Sequence, residues 1–156
     1  MLEADRLVIY AASEKEMGRI IESESNAVLR EAYGDMLRRS LEHEEDWGWH
    51  AIWMIVRKDG SHIGNLFFKG SPEDGVAELG CGIGEAYRGY GYATEALEVI
   101  TAWALEQPGV TAIAAETEPE DAAFQRVLEK CGFLPSQVPA GPKLRFVKET
   151  ELEMEL

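Results

Sequence analysis

The sequence predicts a mixed α/β fold, an α+β arrangement in which a mostly antiparallel sheet carries helices on both faces. Two patterns indicate this fold. Residues 49–83 form short strand-like segments, rich in aromatic and β-branched residues and separated by turn residues. Residues 93–104 and 119–131 instead repeat their apolar positions at helical spacing. The predicted order is β-α-α-β-β-β-α-β-α-β-β, and 156 residues predict a single domain, 1–156.

The first third of the chain predicts one strand and two helices. Residues 6–10 are a short apolar run that predicts the first strand. Ser13 is followed three residues later by Glu16, the spacing of a capping box that opens a helix. A second helix is predicted from about Ser25 to His43, and it ends in an acidic run at residues 42–46.

The middle of the chain predicts an antiparallel meander. Residues 49–56 predict a strand, and Asp59-Gly60 is a two-residue hairpin signal that returns the chain along 63–69. A polar turn at 71–75 then leads into a strand over 76–83.

The last third alternates helices and strands. The helix over 93–104 stops near Gly109, and an apolar strand follows over 110–116. Pro119 suits the first turn of the next helix, which Gly132 ends as a C-terminal cap. Two further strands are predicted, at 133–134 and 143–156.

Composition excludes several classes of partner and cofactor. The net charge of −14 disfavours nucleic-acid binding, because the chain repels phosphate backbones. Two cysteines outside any CxxC pair and three histidines without ligand spacing predict no metal and reduced thiols. No apolar run is long enough to span a membrane, and no signal peptide is recognisable. We therefore expect a cytoplasmic protein without membrane or nucleic-acid partners.

Residues 83–97 carry the strongest chemical signal, because they run from a strand through a glycine-containing loop into a helix. The first N–H groups of a helix lack intrahelical partners, and the helix dipole adds positive potential there. Gly89 and Gly91 would let an anion approach the backbone, and Arg88 adds a charged donor. The segment predicts a diphosphate cradle, although such junctions are also ordinary tight turns. Neither a Walker A loop nor a complete Rossmann fingerprint is present.

Two motifs resemble those of the GNAT N-acetyltransferase superfamily. The run Arg88-Gly89-Tyr90-Gly91-Tyr92-Ala93 matches the family's acetyl-CoA motif, Q/R-x-x-G-x-G/A, and Thr94-Glu95-Ala96-Leu97 is similar to bacterial enzymes of the ribosomal-protein-acetylating type. Residues 126–133, RVLEKCGF, resemble the family's R-V-L-E-K-x-G-F helix end. The resemblance implies acetyl transfer from acetyl-CoA, as co-substrate, to a primary amine. It also implies an acceptor that is a small-molecule amine or a protein N-terminus, and a monomer or homodimer.

The resemblance also implies where acetyl-CoA binds. The strand that ends at Cys81, Gly82 and Ile83 is expected to diverge from the strand that ends near Glu116. The pantetheine arm would pair with the backbone of Cys81 and Ile83, and an N–H near Ile83 would hold the developing oxyanion. The diphosphate would bind the N–H groups of a loop made of Arg88, Gly89, Tyr90, Gly91, Tyr92, Ala93 and Thr94.

A proton acceptor is also needed, because only the neutral amine attacks a thioester. Family members place this base either on the strand ahead of the cradle or on its neighbour, and these positions are Glu78 and Glu116. Burial in the cleft would raise the pKa of either carboxyl towards the working range. The alternative for each residue is an ordinary carboxylate on a solvated face.

The chain departs from the family where the leaving thiolate needs a proton. The usual tyrosine position is Leu128, and the position of the ribosomal-type serine is Phe124. An asparagine that often contacts pantetheine is Asp121 here, so Asp121 and Phe124 are expected beside the cofactor. Either the thiolate leaves to water, since its pKa is about 8.5, or the chain is an acetyl-CoA-binding sensor or interaction module with little turnover.

Charge suggests a cationic acceptor. The long-range field of a chain with net charge −14 attracts cations. Two acidic groups are expected to flank the acceptor's entry: the run at residues 42–46, and the set Glu116, Glu118, Glu120 and Asp121. The alternative is that these charges only keep the surface soluble. Trp47, Trp49 and Trp53 are predicted to pack in the core, or otherwise to form one wall of the acceptor pocket.

Overall fold

Eight strands join in one mixed sheet in the computed structural model, which describes residues 1–137 and 141–150. The order across the sheet is β1-β2-β3-β4-β5-β6-β8-β7. Every neighbouring pair is antiparallel except β5 and β6, which are parallel. The strands are β1 Leu2–Glu3, β2 Leu7–Ala11, β3 Trp53–Arg57, β4 His62–Phe68, β5 Val76–Ile83, β6 Ala112–Thr117, β7 Leu134–Pro135 and β8 Leu144–Glu149.

Five α-helices connect and cover these strands in the described part of the chain. They are α1 Glu14–Ser23, α2 Ala27–Glu42, α3 Trp47–His50, α4 Tyr92–Leu105 and α5 Ala122–Lys130. Single 3-10 turns lie at Glu44–Asp46 and Glu85–Tyr87. The predicted fold class is confirmed, with two additions that the sequence did not reveal: the two-residue strand β1 and the four-residue helix α3.

Local signals explain where the first helices begin. The Ser13 hydroxyl accepts from the Glu16 N–H at 3.2 Å, and the Glu16 carboxylate accepts from the Ser13 N–H at 3.0 Å. This is the predicted capping box, which satisfies two donors that the helix itself leaves free. Helix α2 begins after Asn26, whose side chain accepts from the N–H groups of Val28 and Leu29. The predicted start at about Ser25 was therefore two residues before the observed one.

The prediction of a strand over residues 49–56 was wrong in its first half, because Trp47–His50 form α3. Trp47 and Trp49 would share one face of a strand, but on a helix they point in nearly opposite directions. Trp47 packs with one buried cluster and Trp49 with the other. Trp49 meets the rings of Phe68 and Trp103 at 4.8 and 5.1 Å. The expectation that these tryptophans pack in the core is borne out.

The prediction that Pro119 opens the next helix was also wrong. Helix α5 begins at Ala122, and Asp121 is its N-cap, because the Asp121 carboxylate accepts from the Phe124 N–H at 3.1 Å. A preceding turn closes when the Asp121 N–H donates to the Glu118 carbonyl at 3.0 Å. Gly132, at φ +88°, ends α5 as predicted.

Two buried clusters occupy the two faces of the sheet. Met54 of β3 packs with Met17 of α1 on one face, where side chains of α2 also contribute. On the opposite face, Ile55 of β3 packs in the same cluster as Leu97 of α4 and Leu128 of α5. Successive residues of β3 thus alternate between clusters, as the pleat of a strand requires. Helices therefore cover both faces, as predicted.

The last predicted strand began at residue 143 and continued to 156. The observed strand is Leu144–Glu149, and residues 151–156 lie outside the described residues. Among residues 1–137 and 141–150, no helix has the length and apolar character needed to cross a membrane.

Candidate functional site

The sheet opens between its two parallel strands. Strands β5 and β6 pair from Val76 with Ala112 as far as Leu79 with Ala115, and no farther. Beyond that point β5 stays paired with β4, whereas β6 stays paired with β8. The two strands therefore diverge, and a cleft of about 710 Å³ lies at the gap. The divergence expected after the GNAT resemblance is present in the structure.

The exposed edge of β5 offers backbone donors and acceptors to this cleft. The Lys69 N–H donates to the Glu78 carbonyl, and the Gly84 N–H donates to the Ile63 carbonyl. Even-numbered residues of β5 thus bond to β4, so the odd-numbered ones, Cys81 and Ile83, direct their backbone groups towards the cleft. The Ile83 carbonyl accepts the Nε–H of Arg88 at 3.0 Å.

The start of α4 forms one end of the cleft. Gly89 and Gly91 have φ values of +85° and +83°, a left-handed conformation that L side chains rarely adopt. They turn the chain so that the first N–H groups of α4 lie beside the cleft. The N–H groups of residues 89–94 find no acceptor among the described residues. This arrangement suits an anion, because unpaired donors and the helix dipole act together.

The cleft is positively charged although the chain is strongly acidic. Its lining includes five cationic side chains, which are Lys69, Arg88, Arg126, Lys130 and Lys143. Among the described residues, three carboxylates line it, which are Glu116, Glu118 and Asp121. The local balance of +2 contrasts with the net charge of −14 for the whole chain. An anionic ligand thus finds the local positive site that composition alone did not reveal.

Most of the predicted cofactor-binding residues line the cleft. They are Cys81, Gly82, Ile83, Arg88, Gly89, Gly91, Tyr92, Ala93, Thr94, Asp121 and Phe124. Tyr90 is different, because its side chain is 63% exposed and lies outside the lining. The Tyr90 ring instead lies 6.0 Å from the Tyr92 ring, centroid to centroid.

A pair of charged residues that the sequence did not reveal holds the start of α4. Arg6 donates from its backbone N–H and from Nε to the two carboxylate oxygens of Glu95, each at 2.7 Å. Its Nη1 donates to the Tyr90 carbonyl at 2.9 Å, and its guanidinium lies 4.4 Å from the centre of the Tyr92 ring. Arg6 thus ties the glycine loop and the first turn of α4 to the segment before β2.

The two candidate bases belong to one cluster of four charges. Arg145 Nη1 lies 3.3 Å from Glu78 and 3.4 Å from Glu116, and Lys69 Nζ lies 3.6 and 3.8 Å from the same carboxylates. Glu78 and Glu116 are 35% and 23% exposed, so the burial expected for a base in the cleft is only partial. Glu116 lines the cleft, but Glu78 does not.

The positions expected to hold a thiolate acid offer no proton. Leu128 is fully buried in the core, and Phe124 lines the cleft with an apolar ring. Burial raises the pKa of Cys81 to about 12 and that of Cys131 to about 11. Cys131 also donates to the Thr94 carbonyl at 3.5 Å, so it serves packing rather than nucleophilic chemistry.

Two further side chains at the cleft had no sequence signal. Thr117, only 5% exposed, lines the cleft, and its hydroxyl group donates to the Glu118 carbonyl at 3.4 Å. Phe67 covers Gly80 across the β4–β5 pair, where a Cβ on Gly80 would overlap the ring. The acidic run at residues 42–46 and Glu120 do not line the cleft, so only part of the expected acidic entry lies there.

An opened parallel strand pair beside a glycine-rich helix start is the arrangement that the resemblance to GNAT N-acetyltransferases led us to expect. A family model described as "Acetyltransferase (GNAT) domain" matches residues 2–134. The chain therefore belongs to the GNAT acetyltransferase family.

Similar proteins agree with this family. Over 84 residues, or 53% of the chain, it is 38% identical to the uncharacterized N-acetyltransferase YjdG of Bacillus subtilis, and the match spans 50% of that protein. The ribosomal-protein-S5-alanine acetyltransferase of Vibrio fischeri has a similar fold, with TM-score 0.76, 14% identity and 96% of each chain covered. RimL, a ribosomal L7/L12 α-N-protein acetyltransferase solved with CoA, gives TM-score 0.74 at 13% identity, over 95% of this chain and 96% of RimL.

Proposed function

We propose that this chain binds acetyl-CoA in the cleft between β5 and β6 and transfers its acetyl group to a primary amine. The observation that carries the proposal is the divergence of these strands next to unpaired N–H groups at the start of α4. Family membership supports the same activity, and RimL, which shares the fold, is described in complex with CoA.

Backbone groups do most of the binding in this proposal. Cys81 offers its N–H and carbonyl to the pantetheine amides, whereas the Ile83 carbonyl already accepts from Arg88. The N–H groups of residues 89–94 hold the diphosphate. Gly82 and Gly89 would have open space where a Cβ would stand, so the ligand approaches the chain closely there.

Glu116 is the better candidate for the base, because it lines the cleft and Glu78 does not. Glu116 takes a proton from the acceptor's ammonium group, and the free amine attacks the thioester carbonyl. A backbone N–H of the β5 edge, at Ile83, stabilises the oxyanion that forms. As the C–S bond breaks, the thiolate takes a proton from water, because Leu128 and Phe124 carry none to give.

We further propose that the acceptor is a cationic amine, either a small molecule or a protein N-terminus. The net charge of −14 favours the approach of cations. Raising the salt concentration from roughly 0.05 to 0.5 M shortens the Debye length and should lower kcat/KM for such an acceptor. Equal rates with a neutral amine, or no salt dependence, would contradict the cationic class while leaving acetyl transfer intact.

A direct test combines binding and turnover. CoA titrated calorimetrically into the protein should bind at one site, and acetyl-CoA with a panel of primary amines should release free thiol. The matched pair for this test is Gly91→Val and Gly109→Val, since both glycines have φ near +80° and only Gly91 lines the cleft. Absence of CoA binding by the unmodified chain would refute the proposed function.

A further inference from the structure

One lysine of the protein resembles a substrate bound in its own cleft. Lys69 follows β4, lines the cleft, and carries a primary amine between the carboxylates of Glu78 and Glu116. The distances from its Nζ to the two carboxylates are 3.6 and 3.8 Å. These are ion-pair distances beyond the hydrogen-bond range, so the amine is attracted but not firmly held.

Arg145, the other cation of the same cluster, is held more closely than Lys69. It approaches both carboxylates more closely, at 3.3 and 3.4 Å, and its side chain is 19% exposed, compared with 47% for Lys69. The structural cation of the cluster is therefore Arg145. Lys69 has a flexible four-carbon stem and an exposed end, so its amine is free to move towards the opening between β5 and β6.

The other lysines of the cleft lack this setting. Lys143 lies 3.9 Å from Glu118, which was not a candidate base, and Lys130 on α5 has no carboxylate within ion-pair distance in the described part of the chain. Of the lysines that line the cleft, Lys69 is the one within reach of both Glu78 and Glu116. Of these two carboxylates, Glu116 is the one proposed to deprotonate an amine.

We propose that Lys69 is an intramolecular acetyl acceptor, so that the protein acetylates itself at this residue. The inference rests on the proposed function, because it uses the same bound acetyl-CoA. The Lys69 ammonium gives a proton to Glu116, and the neutral Nζ attacks the thioester carbonyl. A C–N bond forms, the C–S bond breaks, and the CoA thiolate takes up a proton. The products are acetyl-Lys69 and CoA, with one proton released to solvent.

Acetylation at Lys69 changes the charge of the site. The ammonium becomes a neutral amide, so the cluster loses one of its two cations. Glu78 and Glu116 then keep only Arg145 as a partner within the described cluster. The acetylated protein therefore presents a net negative charge where an acceptor's ammonium would bind, and we expect a cationic acceptor to bind it more tightly.

The test is incubation of the full chain with acetyl-CoA, followed by peptide mass spectrometry. We expect an acetyl group on Lys69 that forms at a rate independent of protein concentration and that saturates with acetyl-CoA. Lys69→Arg, which keeps the charge, should abolish this label, whereas Lys15→Arg on α1, outside the cleft lining, should leave it unchanged. Glu116→Gln should slow labelling by roughly tenfold or more.

Two outcomes would overturn the inference. One is no acetyl group on Lys69 in a sample that binds CoA and acetylates an added amine, which leaves the proposed function standing. The other is a label that persists in Gly91→Val after CoA binding is lost, or whose rate rises with protein concentration, because the transfer is then not intramolecular within the cleft. Failure of the unmodified chain to bind CoA would instead remove the proposed function and the inference with it.

Discussion

Arg6 is expected to control CoA affinity although it lies outside the cleft lining. Arg6→Ala removes the bond from Nε to Glu95, the bond from Nη1 to the Tyr90 carbonyl and the contact with the Tyr92 ring. The bond from the Arg6 backbone N–H to Glu95 remains. The glycine loop then loses its tether, so it must be ordered at the moment of binding, and that ordering weakens the complex.

The size of the effect follows from these three contacts. Arg6 and Glu95 are 46% and 16% exposed, so solvent screens the pair, and it contributes about 1 kcal/mol. The bond to the Tyr90 carbonyl and the contact with the Tyr92 ring add about 0.5 kcal/mol each at an exposed site. Losing about 2 kcal/mol from binding raises the Kd of CoA about 30-fold.

The measurement is calorimetric titration of CoA, with urea unfolding run on the same variants. Arg38→Ala is the matched control, because Arg38 makes two exposed ion pairs on α2, with Asp35 and Glu42. Arg38→Ala should leave the Kd unchanged. Glu95→Gln should weaken CoA binding as Arg6→Ala does, and the double variant should add little. If Arg6→Ala lowers stability but binds CoA with unchanged Kd, the tether serves only the fold and our reasoning is refuted.

Three more outcomes are expected. Gly91→Val and Gly109→Val should each lower stability by about 1–2 kcal/mol, because valine is strained in a left-handed conformation. Only Gly91→Val should abolish CoA binding. Equal CoA affinity of the two variants would contradict the placement of the diphosphate at the glycine loop. Glu116→Gln should lower turnover of an amine about 100-fold near neutral pH, a larger loss than Glu78→Gln causes. The loss should shrink at high pH, because the amine is then already neutral. A larger loss for Glu78→Gln would make Glu78 the base instead of Glu116. Burial raises the pKa of the folded Cys81 thiol to about 12, above the pKa of about 8.5 that it has in the unfolded chain. The protonated thiol therefore stabilises the fold below the unfolded pKa, and this stabilisation is lost as pH rises towards 12. Cys81→Ala should flatten the alkaline fall in the free energy of unfolding.

Sequence patterns predicted the elements whose signals are local. Strand β5 was predicted with its observed bounds, and the capping box of Ser13 and Glu16 was confirmed, because each depends on residues close together in the chain. Helix α3 was missed, since a short aromatic run fits a strand as well as a helix until its packing partners are known. Pro119 was predicted to lie in the first turn of α5, whereas Asp121 provides the actual cap.

The candidate site likewise has parts with a local sequence signal and parts without one. The glycine loop was visible because its residues are contiguous, and the positions of Glu78 and Glu116 came with the family resemblance. The partners that set their electrostatics were not visible. Arg145 lies 67 residues from Glu78 along the chain, and Arg6 lies 89 residues from Glu95. Such pairs form only when folding brings distant segments together, so no local sequence pattern predicts them.

The unpaired backbone groups on the cleft edge of β5 determine which substitutions this edge tolerates. The donors and acceptors that Cys81 and Ile83 direct into the cleft belong to the main chain, so nearly any side chain leaves them in place. Proline is the exception, because it has no N–H to offer. At either position it would erase one contact point while the pairing of β5 with β4, made by the even-numbered residues, stayed complete. Ligand recognition along this edge therefore tolerates most side-chain substitutions. It is weakened chiefly by a substitution that removes a backbone N–H.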